Sequence, residues 1–122
     1  MSPQEHRIER RLAAIFAADA VSYSRLMEQD EVGTLRTLAS HREVMDRLIA
    51  EHGGRIANTA GDSVLAEFPS AVDAVQCAVE TQAALRAKND ILSQQRRLSF
   101  RIAVHVRDVR VNDGGLLGAA VD

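Results

Sequence analysis

One cysteine, two prolines, no tryptophan and 3% aromatic residues leave this 122-residue chain without several devices that small proteins use to hold a fold. With Cys77 alone there is no intrachain disulfide framework and no cysteine-based metal site, which fits a reducing compartment. No apolar run approaches the roughly 20 residues that cross a bilayer. The polar opening Met1 to Arg11 lacks the apolar core of a secretory signal, so a cytoplasmic location without a membrane segment is expected. Basic excess is missing too: 15 Lys and Arg stand against 17 Asp and Glu, a formal charge of −2. A general nucleic-acid binder needs a surface that neutralises several phosphates, so no nucleic-acid partner is expected. The clusters Arg7, Arg10, Arg11 and Arg96, Arg97 read as solvated ends of elements. The four histidines, His6, His41, His52 and His105, lack ligand-like spacing and are assigned structural or surface roles. What remains, 46% hydrophobic and 26% charged residues, is ordinary for one small globular domain. A chain this short buries a modest share of its surface, so a partner subunit would add much to its stability.

The run Leu12 to Ala18 is apolar and ends abruptly at Asp19, the pattern of a buried strand that delivers one carboxylate at its tip. A short helix is expected at about Ser22 to Met27. A longer one follows from about Glu31 to His52, with Leu35, Leu38, Met45, Leu48 and Ile49 on one face, stopped by Gly53-Gly54. Strands at Arg55 to Thr59 and Val64 to Phe68 flank Ala60-Gly61-Asp62-Ser63, a hairpin signal that places Asp62 at the turn. From Pro69-Ser70 a helix runs to about Lys88. Its Val72, Val75, Val79 and Ala83 recur at helical spacing and are expected to pack on the sheet. The alternation Phe100, Ile102, Val104, Val106 marks a strand within Ser99 to Val111, before the Asn112-Asp113-Gly114-Gly115 turn. Strand, two helices, hairpin, helix, strand is the order of an α+β sandwich, helices on one face of a mostly antiparallel sheet.

Asp19 precedes a helix, so the amides of Val21, Ser22, Tyr23 and Ser24 are candidates for phosphate while Asp19 holds a divalent cation. Asp62 offers a second carboxylate. Magnesium is commonly held by one or two carboxylates plus substrate phosphates, which suits a nucleoside triphosphate site. Spacing alone leaves another reading open, in which Asp19 is a helix cap and Asp62 a turn residue.

The run from Arg10 to Met27 closely resembles the opening of bacterial class III adenylate and guanylate cyclases. Glu51-His-Gly-Gly-Arg-Ile56, Gly61-Asp62, the stretch Glu67 to Val79 and Phe100-Arg-Ile102 resemble the same family in order and at compatible spacing. The resemblance covers about Arg10 to Asp122, leaving 1–9 as a polar N-terminal segment and 10–122 as a partial cyclase homology domain. It implies a ferredoxin-like α+β sandwich, its sheet incomplete at the C-terminus, that pairs head to tail as a homodimer or with another cyclase domain. It also implies Mg2+ or Mn2+ held by Asp19, Asp62 and the backbone carbonyl of Ala20, with ATP or GTP as substrate for cyclisation.

The sequence departs from the family in the half of the site that reads the base and steadies the transition state. Asn58 stands where a base-reading lysine is usual. Leu117-Gly-Ala-Ala-Val-Asp122 resembles the family's Tyr-Gly-Asp-Gly-Val-Asn, placing Ala119 at the second base-reading position and Asp122 at the asparagine. Alanine offers no side-chain hydrogen bond, and a carboxylate there would repel a triphosphate. The family's arginine would follow beyond this sequence. Arg107 replaces a usual glycine and is expected to be an exposed strand-end side chain. The expectation is a domain active at most beside a complementary chain, or a non-catalytic dimerising domain.

Overall fold

A computed structural model describes residues 9–111, with side chains from 12 to 108. Its elements are β1 (Glu9–Ala20), α1 (Tyr23–Gln29), α2 (Glu31–Glu51), β2 (Arg55–Ala60), β3 (Ser63–Phe68), α3 (Ala71–Asp90), a 3-10 turn at Gln94–Arg96, and β4 (Phe100–Val111). The four strands lie in the order β2-β3-β1-β4, every neighbouring pair antiparallel. This is the split βαβ, ferredoxin-like arrangement that the family resemblance implies.

β1 is the inner strand that both β3 and β4 grip, which explains its run of alanine, isoleucine and phenylalanine. Ala14, Phe16, Ala18 and Ala20 face the helices and are buried, as are Val64, Ala66 and Phe68 of β3. Small residues on β1 let the helices approach closely, and the Phe16 and Phe68 rings fill the centre with centroids 5.9 Å apart. α2 starts where Asp30 accepts the Gly33 amide at 3.0 Å, and α3 where Ser70 accepts the Asp73 amide at 3.2 Å. Gly54 follows α2 because the chain passes over Phe68 there: a β-carbon at Gly54 would lie 2.5 Å from the ring.

Two expectations are overturned. Val72, Val75 and Val79 of α3 are exposed, at 65%, 49% and 64%, while Ala74, Cys77, Thr81 and Leu85 are buried. Both stripes repeat at helical spacing, so period alone cannot choose between them. The sheet side took Ala74, Cys77, Thr81 and Leu85, whose three small members permit close approach, and left the valines and Ala83 outside. Leu35 of α2, also assigned inward, is 44% exposed.

His41 is fully buried and stacks on Phe100. Its partner is Asn89, whose orientation Leu98 fixes: the Leu98 amide donates to Asn89 Oδ1, and Asn89 Nδ2 donates to the Leu98 carbonyl, both at 3.0 Å. Asn89 Oδ1 therefore accepts from His41 Nε2 at 2.9 Å, which puts the proton on Nε2. Nδ1 is buried with no hydrogen-bond partner of good geometry among the described residues, and burial pushes the His41 pKa below its usual value despite the opposing influence of Asn89 and the Thr37 backbone.

Candidate metal site at the end of the sheet

The face of the sheet away from the helices carries Asp19, Arg101 and Asn58. β1 delivers Asp19 one residue before its last pair, and the tight turn between β2 and β3 delivers Asp62. That turn needs Gly61 in the left-handed region, at φ 57°. Asp62 Oδ2 accepts the backbone N–H of Ala20 at 2.8 Å, although 42 residues separate them. The bond places the Asp62 carboxylate against the backbone of the residue that follows Asp19, at the same end of the sheet.

The next residues leave β1 sharply. The Val21 amide donates to the Ser99 carbonyl at 2.8 Å, and Ser22 adopts φ 59°, the only positive φ at a non-glycine among the described residues. A left-handed serine is strained, and here it turns the chain from β1 into α1. Val21 has thus already spent the amide that was assigned to phosphate. Ser22, Tyr23 and Ser24 stand in the turn and first turn of α1.

Asp19 has a partner that the sequence reading passed over. Arg101 lies directly opposite it on β4, and Arg101 Nε donates to Asp19 Oδ1 at 2.9 Å. Arg101 was noticed only as part of the Phe100 to Ile102 match; the strand register that sets it across from Asp19 is a tertiary fact. Asp19, Arg101, Ala60, Ser63 and Asn58 line one open concavity of ≈ 390 Å³. Asn58 reaches it because the β2–β3 register slips by one residue between Ile56 and Asn58, a bulge of the kind that re-aims a side chain near sites. Farther along the same face Arg55 pairs with Glu67, whose carboxylate is buried with Oε2 unpartnered among the described residues. Ala119 and Asp122 lie outside the described residues.

The donors fit a hard divalent cation. Asp19 and Asp62 each keep one carboxylate oxygen outside the bonds just given, oxygen is the ligand such ions prefer, and among the described residues no His, Cys or Met lines the concavity at Asp19. No group of three or more His, Cys, Asp or Glu is gathered among the described residues. Two carboxylates suit an ion completed by a backbone carbonyl and substrate oxygens better than a closed structural site. No described helix is long and apolar enough to cross a membrane.

No family model matches the chain. It is 48% identical over 116 residues, 94% of its length, to a Rhizobium meliloti protein provisionally named adenylate cyclase 3, and spans 20% of that relative. Among solved structures it is similar to an adenylate/guanylate cyclase/hydrolase from Silicibacter pomeroyi. That match has 41% identity and TM-score 0.75, covering 94% of this chain and 67% of the other. The guanylyl cyclase Cya2 matches with 26% identity and TM-score 0.75, covering 93% of this chain and 67% of the other.

Proposed function

We propose, from the premise that this chain belongs to the class III adenylate/guanylate cyclase domain family, that it supplies the metal-holding half of a nucleotidyl cyclase site. Its substrate would be ATP or GTP, its ion Mg2+ or Mn2+, and its partner a second cyclase domain, identical or not. The observation that supports this reading is the 2.8 Å bond from the Ala20 amide to Asp62, which ties the Asp62 carboxylate to the backbone of the residue after Asp19.

The residues divide the work. Asp19 and Asp62 hold the ion, with the Ala20 carbonyl beside them. A bound divalent ion supplies Lewis-acid stabilisation of the phosphoryl oxygens and of the ribose 3′-hydroxyl during cyclisation. The Ala20 bond orients the Asp62 carboxylate before any ligand arrives, so little reorganisation is needed on binding. With Val21 committed to Ser99, phosphate contact falls to the amides of Ser22, Tyr23 and Ser24.

The base-reading half is weaker. Asn58 brings an amide where the family places a cation, and Ala119 and Asp122 bring neither a hydrogen bond nor a donor amide. We therefore read the domain as needing a complementary chain that provides these groups. A second reading is a non-catalytic dimerising or regulatory domain, which the neutral Asn58 on the open face favours.

The test is cyclic nucleotide formation from manganese-ATP and manganese-GTP by the chain alone and mixed with a cyclase domain stripped of its own metal aspartates. Product only in the mixture supports the half-site. Product from the chain alone overturns the account of Asn58, Ala119 and Asp122. Absence of product in both, from folded protein, favours the non-catalytic reading.

A further inference from the structure

The two carboxylates are held in different ways. Asp62 is held by a backbone amide, which cannot leave without opening the turn after β1. Asp19 is held by a side chain that can rotate away: Arg101 touches it through a single Nε contact at 2.9 Å, with the two side chains 72% and 43% exposed.

We propose that Arg101 occupies one oxygen of the Asp19 carboxylate whenever no cation is bound and must give up that oxygen before Asp19 can hold a cation through both, so that Arg101 sets the metal threshold of the site. This rests on the reading of Asp19 as a metal carboxylate. The register makes the competition unavoidable, because Asp19 and Arg101 are paired positions on adjacent strands and their side chains emerge on the same face. Solvent keeps it mild. An exposed ion pair is weak, and a guanidinium left nearby repels a divalent charge only modestly through solvent. Arg101 is a reversible latch, not a block, and its displaced guanidinium stays on the wall of the same concavity. Arg101 acts through Asp19 and is a positioning residue.

The experiment is titration of the full 122-residue chain with Mn2+ alone, without nucleotide, reading free Mn2+ by electron paramagnetic resonance. Arg101→Gln is expected to bind Mn2+ about three- to tenfold more tightly than the parent, the factor that about 0.6–1.4 kcal/mol of lost competition corresponds to. Arg101→Lys keeps the charge but loses the guanidinium fork, and stays within about twofold of the parent. Arg96→Gln removes an exposed cation that does not line the Asp19 concavity and leaves the affinity unchanged, which separates the latch from a general charge effect. Arg101 is exposed on an edge strand, so both of its variants are expected to fold, with unfolding temperatures near the parent's. An affinity in Arg101→Gln equal to or weaker than the parent's, while Asp19→Asn abolishes binding, overturns the latch and leaves the metal site standing. An affinity untouched by Asp19→Asn removes the metal site itself and the latch with it.

Discussion

The two faces of this sheet solve opposite problems. Toward the helices, Phe16, Phe68, Ala66, Met45 and Leu85 are almost wholly buried, and the Asn89 network there pairs most of its polar atoms. Toward the open side, at the Asp19 end, the polar groups are half-satisfied: each aspartate has one engaged oxygen and another outside those bonds. Burial and close packing stabilise a fold, whereas unspent ligand capacity binds something. The comparison teaches where to expect each kind of damage. Substitutions on the helix face should cost stability and leave ligands alone, and those at the aspartates should do the reverse.

The strongest challenge to that division is Phe68→Ala. Phe68 is fully buried against Phe16 and beneath Gly54, so its removal should destabilise the domain by about 3–5 kcal/mol, read by urea denaturation. A loss under about 1 kcal/mol would mean that the helix layer is not the core. Next in size is Asn89→Ala, which removes three hydrogen bonds at once and leaves Leu98 and His41 unpaired. About 2–4 kcal/mol should be lost in the same measurement.

A pH series sharpens the comparison further. Because burial holds the His41 pKa below its ordinary value, the unfolded chain binds a proton that the folded one refuses. His41 should therefore contribute full stability above its unfolded pKa, near 6.5, and lose it as pH falls below that point. The slope from this group cannot exceed about 1.4 kcal/mol per pH unit. Comparing unfolding free energies at mildly acidic and neutral pH, His41→Gln should show the shallower dependence; an unchanged slope would remove His41 from the account. The smallest stability effects belong to the site. Asp19→Asn should shift unfolding by less than about 0.5 kcal/mol, since its Arg101 partner is exposed. Asp62→Asn should shift it by about 1 kcal/mol at most, because the amide oxygen can still accept from Ala20.

Much of this was legible in advance, for physical reasons that differ by residue. The apolar run ending at Asp19 and the Gly-Asp turn are local signals, and both aspartates stand where those signals put them. The helices begin at Tyr23, Glu31 and Ala71, within a residue or so of expectation, because Asp30 and Ser70 cap through bonds to residues three positions on. β1 runs beyond the apolar stretch in both directions, to Glu9 and Ala20, since pairing with β4 extends a strand whatever its hydropathy. The valine stripe of α3 misled because period fixes which residues share a face, not which face meets the sheet. Arg101 was invisible as a partner because register between strands 82 residues apart is written in no local pattern. Asn58 looked degenerate from its neighbours in sequence, but only the bulge shows that it shares a concavity with Asp19.

The central claim is that Asp19 and Asp62 together form one site for a divalent cation, and Mn2+ titration of the parent, Asp19→Asn and Asp62→Asn tests it most directly. The account predicts that each substitution weakens Mn2+ at least about tenfold while the fold stays intact, as expected when a carboxylate ligand is neutralised. Equal affinity in all three proteins would contradict it and reduce the two aspartates to a turn residue and the partner of an exposed arginine.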